Sequence, residues 1–290
     1  VNDRPRSRRD LAERLALSPP GPAPDRFRIA TWNLNSARVR QPHVERFLDR
    51  CAPDVLCLQE TKASALPEPL LASLRDRGYR AAHVGSGPYS GVAVVARAAL
   101  ADVEVSGELG FADLDLEPRL VACVVQADPP LRVASVYVPH GRRVGDPHYA
   151  RKLAFLGDLA AATRDWLAQS PHLVVAGDVN VAPLDDDVYA PAVFRDLTHV
   201  TPPEREALAG VLAAGLVDLD AQRWGPRARR FTWWNHGIGY TRDLGMRIDV
   251  VAASDRVASR LDTTWIDHVE RAATRPSDHA ALVVDLHLGA

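Results

Sequence analysis

Pro276-Ser277-Asp278-His279-Ala280-Ala281-Leu282-Val283-Val284-Asp285-Leu286 sets its polar residues ahead of an apolar, strand-like run. Three other stretches reverse that order. Phe27–Trp32 runs into Asn33 of Thr31-Trp32-Asn33-Leu34-Asn35-Ser36, Asp54–Leu58 into Gln59-Glu60-Thr61-Lys62, and His172–Ala176 into Gly177-Asp178-Val179-Asn180. A buried strand that ends on a carboxylate or carboxamide loses stability unless that group is paired or binds a cation. The four endings together hold Asn33, Glu60, Asp178, Asn180, Asp278 and His279, and they read as one site for a hard divalent cation and a phosphate. Polar ends that follow their strands share a rim with one that precedes its strand only if some strands run antiparallel to others. The expected fold is therefore α/β, with mixed sheets packed face to face in place of a doubly wound parallel sheet.

Gly91–Ala96, Leu120–Gln126, Arg132–Val138 and Ile248–Ala252 are further apolar or β-branched runs of strand length. Helical signals fall between the strands. Pro42 suits a first helical turn, with Val44, Phe47, Leu48 and Cys51 on one face. Asp146 before Pro147 reads as an N-cap, followed by Tyr149, Leu153, Leu156 and Ala160 at helical spacing. Thr201 with Glu204 fits a capping box, Leu208, Val211 and Leu212 form a buried face, and Gly215 ends the helix. Residues 1–25 hold Pro5, Pro19, Pro20, Pro22 and Pro24 among several arginines and read as a disordered arm. One catalytic domain is expected over 26–290.

A hydrophobic fraction of 47% with 25% charged residues is that of an ordinary globular chain. No apolar stretch approaches the roughly 20 residues that span a bilayer, and the N-terminus lacks the apolar core of a secretory signal. A cytoplasmic chain is expected, nucleoid-associated in a bacterium, monomeric and without membrane contact. Cys51, Cys57 and Cys123 sit in apolar runs without metal spacing and read as buried free thiols. The net charge of −2 excludes bulk attraction to polyanions, so nucleic-acid affinity must come from local patches. Candidates are Arg142-Arg143 and Arg227, Arg229 and Arg230 beside Phe231, Trp233 and Trp234. With Lys62 and Lys152 the only lysines, arginine must carry most phosphate contacts.

Mg²⁺ is typically held by one or two carboxylates plus substrate phosphate, and Glu60 with Asn33 or Asp278 nearby meets that need. Asp178 and Asn180 alternate with Val179, which in an extended segment turns both to one side. There a carboxylate is able to orient and deprotonate a water while the amide fixes its direction. His279 beside a carboxylate stays protonated and serves a phosphate oxygen. Its natural partner is Asp249 of Arg247-Ile248-Asp249, a carboxylate between Ile248 and Val250 that cannot stand alone in a strand. Tyr137, in Tyr137-Val138-Pro139-His140-Gly141, ends a strand where its hydroxyl can reach the same rim. The acidic run Asp185-Asp186-Asp187 reads as a solvated loop.

Taken in order, Thr-Trp-Asn-Leu-Asn-Ser, Leu-Gln-Glu-Thr-Lys, Tyr-Val-Pro-x-Gly, Gly-Asp-x-Asn, Arg-Ile-Asp and Ser-Asp-His resemble the endonuclease/exonuclease/phosphatase superfamily, within it the exonuclease III branch of DNA-repair nucleases. The resemblance runs from about Phe27 to the C-terminus. It implies a four-layered α/β sandwich of two mixed sheets. It implies Glu60 as ligand of Mg²⁺ (or Mn²⁺) with Asn33 and Asp278, Asp178 as the group that activates water, and Asn180 as its positioner. His279, oriented by Asp249, and Tyr137 would hold the scissile phosphate. Trp233 and Met246 fall where relatives enclose a base-free sugar, with Arg142, Arg143 and Arg247 as further DNA contacts. His140 stands where asparagine or glutamine is commoner. The implied reaction is Mg²⁺-dependent hydrolysis of duplex DNA at abasic or 3′-blocked sites, with 3′–5′ exonuclease or 3′-phosphodiesterase activity. Two other readings fit the same scaffold: a phosphoesterase for a lipid or inositol phosphate, and a non-catalytic DNA-binding module.

Overall fold

The computed structural model describes residues 25–105, 117–225 and 227–287, so the arm expected over 1–25 lies, but for Asp25, outside the described residues. In chain order the strands are β1 (Arg26–Asn33), β2 (Val55–Gln59), β3 (Arg80–Val84), β4 (Val92–Ala96), β5 (Leu100–Val105), β6 (Leu120–Val125), β7 (Leu131–Tyr137), β8 (Leu173–Asp178), β9 (Leu216–Asp218), β10 (Trp233–Trp234), β11 (Gly245–Met246), β12 (Asp249–Ser254), β13 (Leu261–Asp267) and β14 (Ala281–His287). The helices are α1 (Ala37–Cys51), α2 (Glu68–Asp76), α3 (Pro147–Gln169), α4 (Pro191–Phe194), α5 (Pro202–Ala213), α6 (Leu219–Trp224), α7 (Asp255–Ala258) and α8 (His268–Ala272). None of the described helices is long and apolar enough to cross a membrane.

The strands form two six-stranded sheets, ordered β13-β14-β1-β2-β4-β3 and β5-β6-β7-β8-β12-β9, plus a ribbon of β10 and β11. Both large sheets are mixed. β1 runs parallel to β2, and β7 parallel to β8, while β1 is antiparallel to β14 and β8 antiparallel to β12. Alternation along each strand then builds layers. Ile29, Val55, Cys57 and Val94 of the first sheet pack against Val121, Cys123, Val133, Val174 and Val251 of the second. Their neighbours Ala30, Trp32, Leu56 and Leu58 face outward onto Val44, Phe47 and Leu48 of α1 and Leu70 and Leu74 of α2. On the far side, Val136, Val175 and Val250 meet Phe155, Leu156 and Trp166 of α3 and Leu208 and Val211 of α5. Helix, sheet, sheet, helix is the expected four-layered sandwich. The three cysteines are free and buried, as read from their apolar surroundings.

The same period of two positions the site. Asn33 follows Ile29 by four residues, Tyr137 follows Val133 by four, Asp178 follows Ala176 by two and Asp249 precedes Val251 by two, all within strands. Each polar side chain thus continues the inter-sheet face to its rim, where Tyr137 pairs with Asp178 and Asp178 with Asp249 in register. Just below lies a polar rung between the sheets: Gln59 Nε2 donates to Thr31 Oγ1 and to Ser135 Oγ, both at 3.1 Å. Gly177 is required by close approach, since a Cβ there would lie 1.9 Å from the Val136 carbonyl oxygen.

α1 begins five residues earlier than Pro42 suggested. Leu34 N, Ser36 N and Ala37 N donate to the carbonyls of Gln59, Glu60 and Thr61 at 2.9, 2.8 and 2.9 Å. These bonds satisfy the chain entering the helix, where N–H groups have no intrahelical partner, and lock the Glu60 loop to it. Pro42 therefore lies inside the helix, whose buried face is the expected Val44, Phe47, Leu48 and Cys51. The N-cap of α3 at Asp146 and the Thr201–Glu204 capping box of α5 are present as expected.

Arg247 corrects the expectation of a DNA contact. Its Nε and Nη2 donate to Asp187 at 2.7 and 3.1 Å and its Nη1 to Asp218 at 2.6 Å, leaving 4% of the residue exposed. The guanidinium ties the 185–187 turn and the start of α6 to the strand entering β12, with no face left for a phosphate. Asp187 is buried for the same reason, against the reading of that run as a solvated loop. Arg247→Met is expected to cost about 3–5 kcal/mol in urea unfolding, because both carboxylates stay buried without a counter-charge. A loss below about 1 kcal/mol, the range of exposed pairs, would contradict this role.

Lys152 of α3 and Glu204 of α5 form a second buried ion pair, both side chains fully covered. Glu204 also accepts from Thr198 Oγ1, His199 N and Thr201 N at 2.6, 2.9 and 3.1 Å. Burial acts to raise the carboxyl pKa, but Lys152 and these donors outweigh it and hold it at about 2. The ordinary glutamate value is about 4.3, so this ionised group stabilises the fold above that pH and the contribution is lost as pH falls towards the native value. Urea unfolding from about pH 5 down to about pH 2.5 should show the stability gap between the parent and Lys152→Met/Glu204→Gln changing steadily to the parent's disadvantage. A gap independent of pH would contradict the assignment.

Candidate active site

The rim groups form a continuous polar chain. Asn33 Nδ2 donates to Glu60 Oε1 and Asp178 Oδ2, both at 2.9 Å, and so bridges the two sheets. Lys62 Nζ lies 2.8 Å from Glu60 Oε2 and donates to Asn35 Oδ1 at 2.6 Å. Asn35 Nδ2 in turn donates to Asp278 Oδ1 at 3.0 Å, and Trp233 Nε1 donates to Asp278 Oδ2 at 3.1 Å. Asn33 thus reaches Glu60 directly, whereas Asp278 reaches it through Asn35 and Lys62. Asn35 had no assigned role in the sequence; its place within the Asn33 motif was the available signal. Burial acts to raise the Glu60 pKa, but the Lys62 charge and bond, the Asn33 bond and His279 lower it overall.

The second half of the rim centres on His279. Its Nδ1 lies 2.8 Å from Asp249 Oδ2, and its Nε2 3.7 Å from Asp178 Oδ2. Burial opposes the imidazolium, but Asp249, then Asp178 and Asp278, overcome it and lift the pKa to about 10. The Asp178 pKa is raised as well, to about 7: burial, Asp249 and Glu60 raise it against the pull of His279 and the Asn33 bond. Tyr137 keeps its proton well above the usual phenol range, through burial and the nearby Glu60 and Asp178. Arg119 stacks over its ring at 4.6 Å. The segment carrying His279 is pinned to β1: Ser277 Oγ donates to Asn33 O at 2.7 Å and accepts from His279 N at 3.2 Å, and Trp32 Nε1 donates to His279 O at 3.2 Å. Thr232 Oγ1 accepts from Asp249 N at 3.1 Å.

Asn180 reaches the rim by another route than the alternation of an extended strand. β8 ends at Asp178, and Asn180 turns to φ 52° with its N–H donating to Asp178 Oδ1 at 2.9 Å. Asn180 Nδ2 donates to Val138 O at 2.9 Å, which fixes the amide. Asn35, Ser36, Glu60 and Lys62 also have positive φ, at 49°, 103°, 48° and 50°. For residues other than glycine this is a costly conformation that the surroundings must enforce, and five of the thirteen such residues in the described structure lie in these rim segments.

Flanking the rim, Arg142 and Arg143 stand exposed on the loop after Tyr137. Trp233 is half-buried over Asp278, and Met246, paired with it across the ribbon, is 1% exposed and packs with Val188 and Ile248. Met246 therefore backs the Trp233 ring from beneath. Of the two lysines, Lys152 is spent on Glu204.

Two groups of donors bear on a metal ion. Asp178, Asp249 and His279 have ligand atoms within 4.8 Å of one another, but the imidazole between the carboxylates is held protonated and its lone pairs are unavailable. Glu60, with Asn33 bonded to it and Asp278 linked to it through Asn35 and Lys62, offers oxygen ligands only. That chemistry fits a hard divalent cation.

The sequence model described as the "Endonuclease/Exonuclease/phosphatase family" matches residues 30–279. The solved 3′–5′ exonuclease (NExo) from Neisseria meningitidis superposes with a TM-score of 0.85 at 33% identity, over 90% of this chain and 100% of that one. An AP endonuclease from Archaeoglobus fulgidus gives 0.78 at 30% identity, over 89% of this chain and 98% of the other. Exodeoxyribonuclease III of Haemophilus influenzae is 28% identical over 276 residues, 88% of this chain and 98% of that protein. By the match along its length and the sandwich that carries it, the chain belongs to the endonuclease/exonuclease/phosphatase family, in its exonuclease III branch.

Proposed function

We propose that the protein is a Mg²⁺-dependent DNA-repair nuclease that hydrolyses phosphodiesters of duplex DNA in line and leaves a 3′-hydroxyl. It acts as a monomer, as an abasic-site endonuclease and as a 3′–5′ exonuclease or 3′-phosphodiesterase. The observation that carries this reading is the water-excluded rim where the Asp178 carboxylate faces the His279 imidazolium at 3.7 Å. A base and a fixed cation side by side suit a phosphate held against the cation, with the attacking water on the carboxylate.

Asp178 accepts the proton of the attacking water, its affinity for protons raised by burial and by Asp249. Asn180 directs that water, and Asn33, bonded to both Asp178 and Glu60, keeps the base in register with the acidic mouth. His279, held charged by Asp249, and the Tyr137 hydroxyl donate to the phosphoryl oxygens as negative charge develops on them. Arg142 and Arg143 hold the DNA backbone, and Trp233 over Met246 forms one wall for a base-free sugar. Glu60, Asn33 and Asp278 would hold Mg²⁺, or Mn²⁺ in its place, and such a cation supplies Lewis-acid stabilisation of the phosphoryl and leaving oxygens.

The test is turnover of three substrates: an end-labelled duplex with one abasic-site analogue, an intact duplex with a recessed 3′ end, and an inositol phosphate. Both duplexes should be cut with millimolar Mg²⁺ and neither in excess chelator. Asp178→Asn should lower turnover by at least about 10²–10³, the scale of losing one preorganised catalytic group, while duplex binding persists. Turnover of the inositol phosphate alone, full activity in chelator, or parental turnover of Asp178→Asn would each refute the proposal.

A further inference from the structure

Around the Asn180 carbonyl lies a set of side chains that the proposed chemistry does not use. The Asn180 carbonyl oxygen accepts twice, from Lys152 Nζ at 2.6 Å and from His199 Nδ1 at 2.5 Å. Lys152 is held in turn by Glu204, whose Oε1 also accepts from His199 N at 2.9 Å. His199 is itself at φ 84°. Its Nε2 lies 3.2 Å from His140 Nε2, the two rings edge to face at 89°.

The proton positions in this chain follow from its outer end. Arg142 N donates to His140 Nδ1 at 3.1 Å, so that nitrogen is bare and His140 carries its proton on Nε2. His199 Nε2 accepts that proton's hydrogen bond, which leaves the His199 proton on Nδ1, aimed at the Asn180 carbonyl. His140 thus fixes the tautomer that His199 needs as a donor. Below them, Gly141 at φ 86° lets the loop lie on the Lys152 stem, where a Cβ would come within 3.2 Å of Lys152 Cδ.

From this geometry we infer that Lys152 and His199 are positioning residues for the reaction. They grip the Asn180 carbonyl from two sides and so hold the left-handed turn that brings its carboxamide beside Asp178, and His140 orients His199. A single carbonyl that accepts from an ammonium and an imidazole is fixed in direction, and small displacements of a group that orients a reactant are costly in rate. The inference rests on the nuclease reading of the rim.

The test compares the parent with His199→Gly and His199→Asn on the abasic duplex, with melting temperatures measured alongside. Glycine accepts the positive φ without strain, so His199→Gly removes the imidazole, its donor and its contact with His140, and leaves the backbone turn unstrained. It should lower kcat about tenfold to a hundredfold, the scale of a misplaced reacting group, with KM, duplex affinity and the melting temperature unchanged. Asparagine tolerates the same φ and places an N–H where Nδ1 stood, so His199→Asn should return kcat close to the parent's. Parental kcat in His199→Gly would overturn the inference, as would a loss shared equally by His199→Asn or mirrored by a fall in melting temperature. Absence of duplex turnover by the parent would instead refute the nuclease reading, so the two failures are distinct.

Discussion

Asp178 and Asp249 stand opposite each other on adjacent antiparallel strands, 1% and 0% exposed, where two ionised carboxylates repel with little solvent to screen them. His279 reconciles them. Its imidazolium hydrogen-bonds Asp249 and faces Asp178, so one cation serves two buried anions. The rest of the rim depends on that arrangement. Asp178 keeps a raised proton affinity because the compensation is shared, and Glu60 is drawn into the field of the same ring. A buried ion pair is weak evidence for stability, because desolvation offsets its attraction. Its value here is to hold a carboxylate and a cation at a fixed separation, 3.7 Å apart, at the rim of the two sheets.

The sandwich brings these groups together because a β-strand has a period of two. Once Ile29, Val133, Ala176 and Val251 face the inter-sheet core, Asn33, Tyr137, Asp178 and Asp249 must face the same gap. The polar endings are therefore the continuation of the core pattern to its edge. The loops that follow are bent against their preference, with Asn35, Ser36, Glu60, Lys62 and Asn180 all at positive φ. The bends are enforced by hydrogen bonds between loops, such as Ser36 N to Glu60 O and Ala37 N to Thr61 O.

That periodicity is also what made the fold legible. The eight strands expected from apolar runs all occur, with ends displaced by at most two residues, and the direction of their polar ends called for mixed sheets. β3, β5 and β13 escaped notice because they lie at or next to sheet edges and mix charged or polar residues with apolar ones, as in Leu261-Asp262-Thr263-Thr264-Trp265-Ile266-Asp267. Single-residue roles were harder to read. Arg247 looked available to DNA because its partners, Asp187 and Asp218, lie 60 and 29 residues away. Lys152 and Glu204 are separated by 52 residues and meet only after α3 and α5 pack. Asn180 was expected to follow an extended chain, and its turn is set by groups distant in sequence. Local pattern reports which face a residue occupies; it carries no record of the partner that will meet it there.

The claim that everything else leans on is the charged coupling of His279 to Asp249. A double-mutant cycle with Asp249→Asn, His279→Gln and the double variant, read by urea unfolding, measures it directly. The account predicts a coupling of about 1.5–3 kcal/mol, the range for a hydrogen bond to a charged partner in a buried site. Single-variant effects that add to within about 0.5 kcal/mol, as for independent sites, would contradict it.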